Sequence, residues 1–365
     1  MAESTLVSTE DLRAAVSAGI LTEAQAASVK SLADQRADRR LALPAEDEPF
    51  EFFRGFSEIF ISIGLLILLA GFVFLFSPDA GTRHFSSLYP QVVMAAAAWL
   101  GANYFTLRRR LNLPSMVLAV AFTVALSTGG FFVFEWAFGR SADSNVVLAS
   151  GWFLTTLGMA AWYARFRLPF AAFLFGLSLL CALYAFVAWL DGTVPLILMN
   201  YERLLDFNEN AVFATLTFLF GIGAFSAAMW FDLHDPHRVT RYAATAFWLH
   251  LLAATALVNT VAVTALNIGG AATLILLPLA VFAIGALALL IDRRSFLSAA
   301  IAYLGIMLSW VVDPDDTYST AVVLIILGLF VTAIGTWWVP LRSALMRRLP
   351  AFPGKSRLPP WSEPA

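Results

Sequence analysis

Ten apolar runs, each close to the length needed to cross a bilayer, constrain this chain more than any other feature. Crossing about 30 Å of hydrocarbon at about 1.5 Å per helical residue takes about 20 apolar residues. Runs of that kind occupy residues 57–76, 88–107, 114–138, 146–164, 168–190, 211–231, 242–261, 271–291, 295–312 and 319–339. Hydrophobic residues make up 60% of the chain and charged residues 13%. Soluble domains average about 25% charged residues, so a water-surrounded fold of this length could not hide so much apolar surface. Lipid leaves no backbone group unsatisfied only in helices and closed barrels, and runs this long are helical. The expected class is therefore all-α, a polytopic membrane helix bundle of about ten transmembrane helices.

The basic residues test that map independently, because hydropathy alone chose the runs. Arg108, Arg109 and Arg110, then Arg165 and Arg167, Arg238 and Arg241, Arg293 and Arg294 all fall in alternate loops. These loops lie on the same side as both ends of the chain. Only Arg83, Arg140 and Arg203, out of 23 basic residues, fall on the other side. Basic loops stay in the cytosol during insertion, which places both termini there. No basic start with an apolar core marks a leader, so the first run is expected to act as an uncleaved anchor in a bacterial inner membrane. Aromatic residues near run ends, including Tyr89, Trp136, Trp189, Trp162, Trp230, Trp337 and Trp338, are expected at the headgroup level.

Four regions follow: a cytosolic helical hairpin over 1–40, a linker and interfacial segment over 41–56, the spans over 57–339, and a basic, proline-rich, disordered tail over 340–365. In the first region Ser8 can cap one helix and Gly19 can end it. Thr22 can cap a second helix bearing Ala26, Val29 and Leu32 on one side. So small a unit cannot bury a core alone. Residues 8–36 are thus expected to meet the membrane domain, a protein partner or a second copy.

The pattern LRAAVSAGILTEAQAASVKSL, followed by a polar linker and EIFISIGLLILLAGFVFLF, resembles bacterial multi-span membrane proteins of unknown function that open with a cytosolic helical hairpin. The resemblance covers roughly the first quarter of the chain. It implies a multi-span bundle behind the hairpin and implies no activity.

Chemistry-bearing groups are sparse. His250 is the one ionisable residue near the middle of a run, and a charged imidazole there would be costly, so the ring is expected to be neutral and to need partners. Ser127, Thr128, Thr155 and Tyr184 lie at similar depth in other runs and are the candidate companions of an intramembrane polar site. Asp232, His234, Asp235 and His237 have the ligand chemistry of a divalent-metal site. However, Pro236 and the nearby arginines favour a solvated turn, so a metal is not expected there. Acidic residues such as Asp206 in the longest outer loop could collect cations or simply be what remains when basic residues are excluded. The lone Cys181 forms no intrachain disulfide.

Phosphate loops, nucleophile elbows and zinc-hydrolase motifs are missing from the sequence, and the net charge of −2 gives nucleic acid nothing to bind. No catalytic residues and no cofactor are expected. The bilayer is the first partner. The function these features favour is a structural or signalling membrane component acting through its N-terminal hairpin. The alternative is a transporter or lipid-handling protein built from repeated helical hairpins, because the turns RRRLNLP, RFRLP and DRRSFL look loosely alike.

Overall fold

The computed structural model describes residues 9–22, Gln25, Ala26, Val29, Leu32, 56–76, 85–139, 143–192, 204–235, 241–268, 270–293, Ile325, Gly328, Leu329, 332–350, Lys355 and Leu358. Among the described residues the regular structure is helical throughout. The expected runs at 295–312 and most of 319–339 lie outside them, as do Ser8, Arg140 and His237. The chain divides into two compact units, Met1–Glu48 and Pro49–Ala365.

In the first unit α1 spans Thr9–Ser17. It ends because Gly19 adopts φ +72, which glycine alone takes without a Cβ penalty. The turn folds back on the helix with Ile20 N donating to Ala15 O at 2.9 Å and Gly19 N to Val16 O at 3.0 Å. That pair of bonds is a Schellman motif. Thr22 then opens the next helical segment by a reciprocal capping box. Gln25 N donates to Thr22 Oγ1 at 3.3 Å, and Thr22 N donates to Gln25 Oε1 at 2.9 Å. Gln25, Ala26, Val29 and Leu32 are helical.

The second unit holds α2 (Phe56–Phe76), α3 (Phe85–Ala102), α4 (Asn112–Phe138), α5 (Ser144–Phe166), α6 (Pro169–Leu190), α7 (Ala211–His234), α8 (Arg241–Ile268), α9 (Gly270–Ile291) and α10 (Trp338–Arg348). A π-helical segment, Asn103–Arg108, continues α3. Five helices, α4 to α8, are long and apolar enough to cross a membrane, α8 over Arg241–Ala265. Sequence neighbours pack side by side from α2 to α9, and α8 also packs on α6. Central position makes α8 the most buried of the five, with 67% of its apolar window inside the protein.

Three tight turns at the arginine-rich end of the bundle share one device. Arg110, Arg167 and Asp292 all take left-handed φ values, of 54, 48 and 57. Their hydrogen bonds differ, however. Arg109 N reaches Tyr104 O in a π-type bond, whereas Arg167 N bonds Tyr163 O four residues back. The turns are alike in shape and not in detail.

Two expectations need correction here. The boundary at residue 340 cuts through α10, which runs on to Arg348 with Arg342, Ser343 and Met346 buried. Lys355 Nζ closes that helix by donating to the carbonyls of Met346 at 2.8 Å and Leu349 at 2.7 Å. The headgroup-level expectation fails for Trp162 and Trp338, which are 0% and 3% exposed. Trp162 instead sits among Trp99, Phe122 and Phe166 with ring centroids 5.6, 4.8 and 4.7 Å away. Tyr89, Trp136, Trp189, Trp230 and Trp337 are exposed.

Candidate functional site: a buried charge cluster at one end of the bundle

Helix α8 is ten residues old at His250, just past its first third. The helix runs seven residues past the expected end of the span, because Thr260 and Thr264 return their hydroxyls to carbonyls one turn back and so hide their polarity. His250 therefore stands four to five residues from the midpoint of α8, on its arginine-rich side. The ring is completely buried and lies edge-on to Phe225, with centroids 5.5 Å apart.

His250 Nε2 is 2.8 Å from Asp232 Oδ2. Asp232 belongs to the last turn of α7, and its carboxylate turns inward rather than to solvent. The opposite edge of the carboxylate meets Arg293. Nε donates to Oδ2 at 3.0 Å and Nη2 donates to Oδ1, giving a two-pronged pair. The same Nη2 also donates to Ala243 O at 3.1 Å. Arg293 is 1% exposed. It reaches inward because the chain reverses at the left-handed Asp292, with Arg293 N donating to Ala288 O at 3.0 Å and Asp292 N to Leu289 O at 3.3 Å. That is the Schellman pattern again, with aspartate at the position usually held by glycine.

Asp292 serves the other side of the turn. Its Oδ1 accepts Trp338 Nε1 at 2.9 Å and lies 3.5 Å from Arg342 Nε. Two adjacent residues thus fasten α9 in opposite directions, Arg293 to α7 and α8, and Asp292 to α10. Among the described residues, two carboxylates face two guanidinium groups beside the His250 ring. Chemically the cluster is a lock between four helices.

The other candidates lie elsewhere. Ser127 and Thr128 donate to Val124 O at 3.1 and 2.6 Å, and Thr155 to Gly151 O at 2.8 Å, each within its own helix. Tyr184 pairs its hydroxyl with Thr217 of α7. Those two line a cavity of about 170 Å³ with Asn259 of α8 and the apolar Leu204, Leu205 and Leu252. Of the His/Asp set near the end of α7, Asp232 points into the bundle, while the exposed His234 keeps Nδ1 2.6 Å from Trp230 O and lies tilted against its ring at 4.3 Å. Among the described residues, no group of three His, Cys, Asp or Glu side chains could hold a metal ion. No family model, curated protein or solved structure matches the chain.

Two further polar groups are buried by contacts that position along the chain does not reveal. Glu58, which the sequence places near a span end within reach of water, is 1% exposed. Its Oε2 accepts Asn112 N at 3.2 Å and Leu113 N at 3.1 Å, so α2 caps the start of α4. Asp206 is fully buried rather than free to collect cations. It accepts Asn267 Nδ2 at 2.7 Å and Asn208 N at 2.9 Å, seating the segment before α7 on the far end of α8. The signal available for Arg293 and Asp292 was their juxtaposition at a run end, an acid and a base side by side where only basic residues are needed for orientation.

Proposed function

We propose that this chain is a multi-pass membrane protein of about ten spans whose N-terminal helical hairpin recruits a protein partner to the bilayer. It belongs, on this reading, with the multi-span proteins that its N-terminal motif resembles, and its termini face the cytosol. One observation carries the proposal. The first unit is shaped by a Schellman turn and a capping box, yet it leaves Ile20 74%, Leu32 49% and Val29 44% exposed. A fixed helical turn that presents apolar side chains outward suits docking against the apolar face of another helix. The buried charges of the second unit, by contrast, are spent on one another, which suits an anchor.

The test compares full-length protein with two variants, deletion of residues 1–48 and the double substitution Ile20→Asp, Leu32→Asp. Both should insert and melt like the parent, while the complex extracted from membranes shrinks on a native gel. Differently tagged copies separate a foreign partner from self-association. An unchanged complex in both variants overturns the proposal. A transport or lipid-handling role draws on the cavity beside Tyr184, Thr217 and Asn259, whose few polar groups in an apolar lining are typical of small-molecule sites.

A further inference from the structure

A cleft of about 390 Å³ opens on the bundle between α2, α4 and the start of α6. Its walls are entirely apolar. They include Leu66 and Leu69 of α2, Met94 of α3, Met116 and Val120 of α4, and Phe170 of α6. Val120 and Leu66 are 42% and 54% exposed, so the cleft has an open rim. Along α4 its lining runs from Met116 to Val124, and Met116 stands six residues beyond Arg110. At about 1.5 Å per residue the cleft therefore covers depths of roughly 9 to 21 Å below the arginine turn.

That turn is one of two at the cleft's mouth. Phe170 stands three residues beyond Arg167, and Arg165 Nη2 reaches back to Asn103 Oδ1 at 3.4 Å, which joins the α5–α6 turn to the α3–α4 turn. Arg108, Arg109, Arg110, Arg165 and Arg167 thus gather at one end, all exposed. Arg109 Nε donates to Tyr104 at 3.0 Å. The nearby carboxylate, Glu58, is buried and occupied with the backbone of Asn112 and Leu113. Among the described residues, the exposed arginines have no carboxylate paired with them. Cations at the headgroup level above an apolar slot fit a molecule with an anionic head and a hydrocarbon tail.

We propose that this cleft is a binding site for one anionic phospholipid of the surrounding bilayer. One acyl chain lies between α2 and α4, and the phosphate rests on the arginines of the two adjoining turns. The proposal rests on the membrane-embedded reading, and carbonate extraction of the membranes tests that reading separately.

Native mass spectrometry of the full chain, released from mixed micelles of phosphatidylglycerol and phosphatidylcholine with identical chains, reads the site directly. The protein should retain one phosphatidylglycerol in preference to phosphatidylcholine. Val120→Trp, which fills the rim, should lower that retention at least tenfold, and so should the triple change Arg108→Gln, Arg109→Gln, Arg165→Gln. Val124→Trp gives a second fill should the first variant not fold. Equal retention of both lipids by the parent overturns the proposal, as does undiminished phosphatidylglycerol in folded cleft-filled variants. If carbonate strips the protein from membranes, it is the membrane reading that has failed.

Discussion

Arg293 stands one residue past a left-handed turn and satisfies both oxygens of a carboxylate that also holds His250. Burying such a pair costs nearly as much desolvation as its attraction returns, but removing one partner strands the other charge. Arg293→Leu should therefore destabilise the protein by about 3–5 kcal/mol, measured by thermal melting in detergent. Asp232→Leu combined with Arg293→Leu should melt above Arg293→Leu alone, because no charge is then left unpaired. His250→Phe removes one hydrogen bond and keeps the ring, so a smaller loss of about 1–2 kcal/mol is expected. If His250→Phe equals Arg293→Leu in its effect, the imidazole is carrying charge in the cluster. Sequence pointed to His250 but not to its partners. Asp232 read as part of a solvated acidic turn and Arg293 as one more loop cation, because inward rotation of an end residue depends on a left-handed turn two helices away.

Among the described helices, α4 and α5 meet backbone to backbone at a pair of glycines. A Cβ added at Gly130 would meet Gly151 Cα at 3.0 Å, and one at Gly151 would meet Phe131 N at 3.1 Å. Backbone this close leaves neither helix a way to yield, and close packing is a principal force between helices in lipid. Gly130→Leu should part the two helices and lower the melting point in detergent by more than Gly223→Leu, where a Cβ meets nothing within 4 Å. Nothing in the sequence separates Gly151 from Gly223, since composition does not say which face of a helix meets a neighbour. Local chemistry was better legible in the first unit. Gly19 and Thr22 were identifiable as turn and cap because their roles depend only on residues within one helical turn. Thr22→Ala should cost about 1 kcal/mol of local helix stability, visible as faster amide exchange at Gln25 and Ala26.

At the scale of the whole molecule, the described helices follow the hydropathy runs to within a few residues at most ends, since run length reflects the medium a helix crosses. What hydropathy did not show is which charges leave the loops. Arg293, Arg342 and Glu58 count as loop or interface residues by position and are buried by contact. The bias of basic residues toward one end of the bundle does not depend on Arg293, because Arg294 follows it in sequence and the other turns keep exposed arginines such as Arg110 and Arg167. Substituted-cysteine labelling in a Cys181→Ala background, with single cysteines next to Arg110, Arg167, Arg241 and Arg294, tests the central claim most directly. In right-side-out membrane vesicles a membrane-impermeant thiol reagent should leave all four positions unlabelled and react only after the vesicles are opened. Labelling of any one of the four in intact vesicles would contradict the span map and with it the membrane architecture described here.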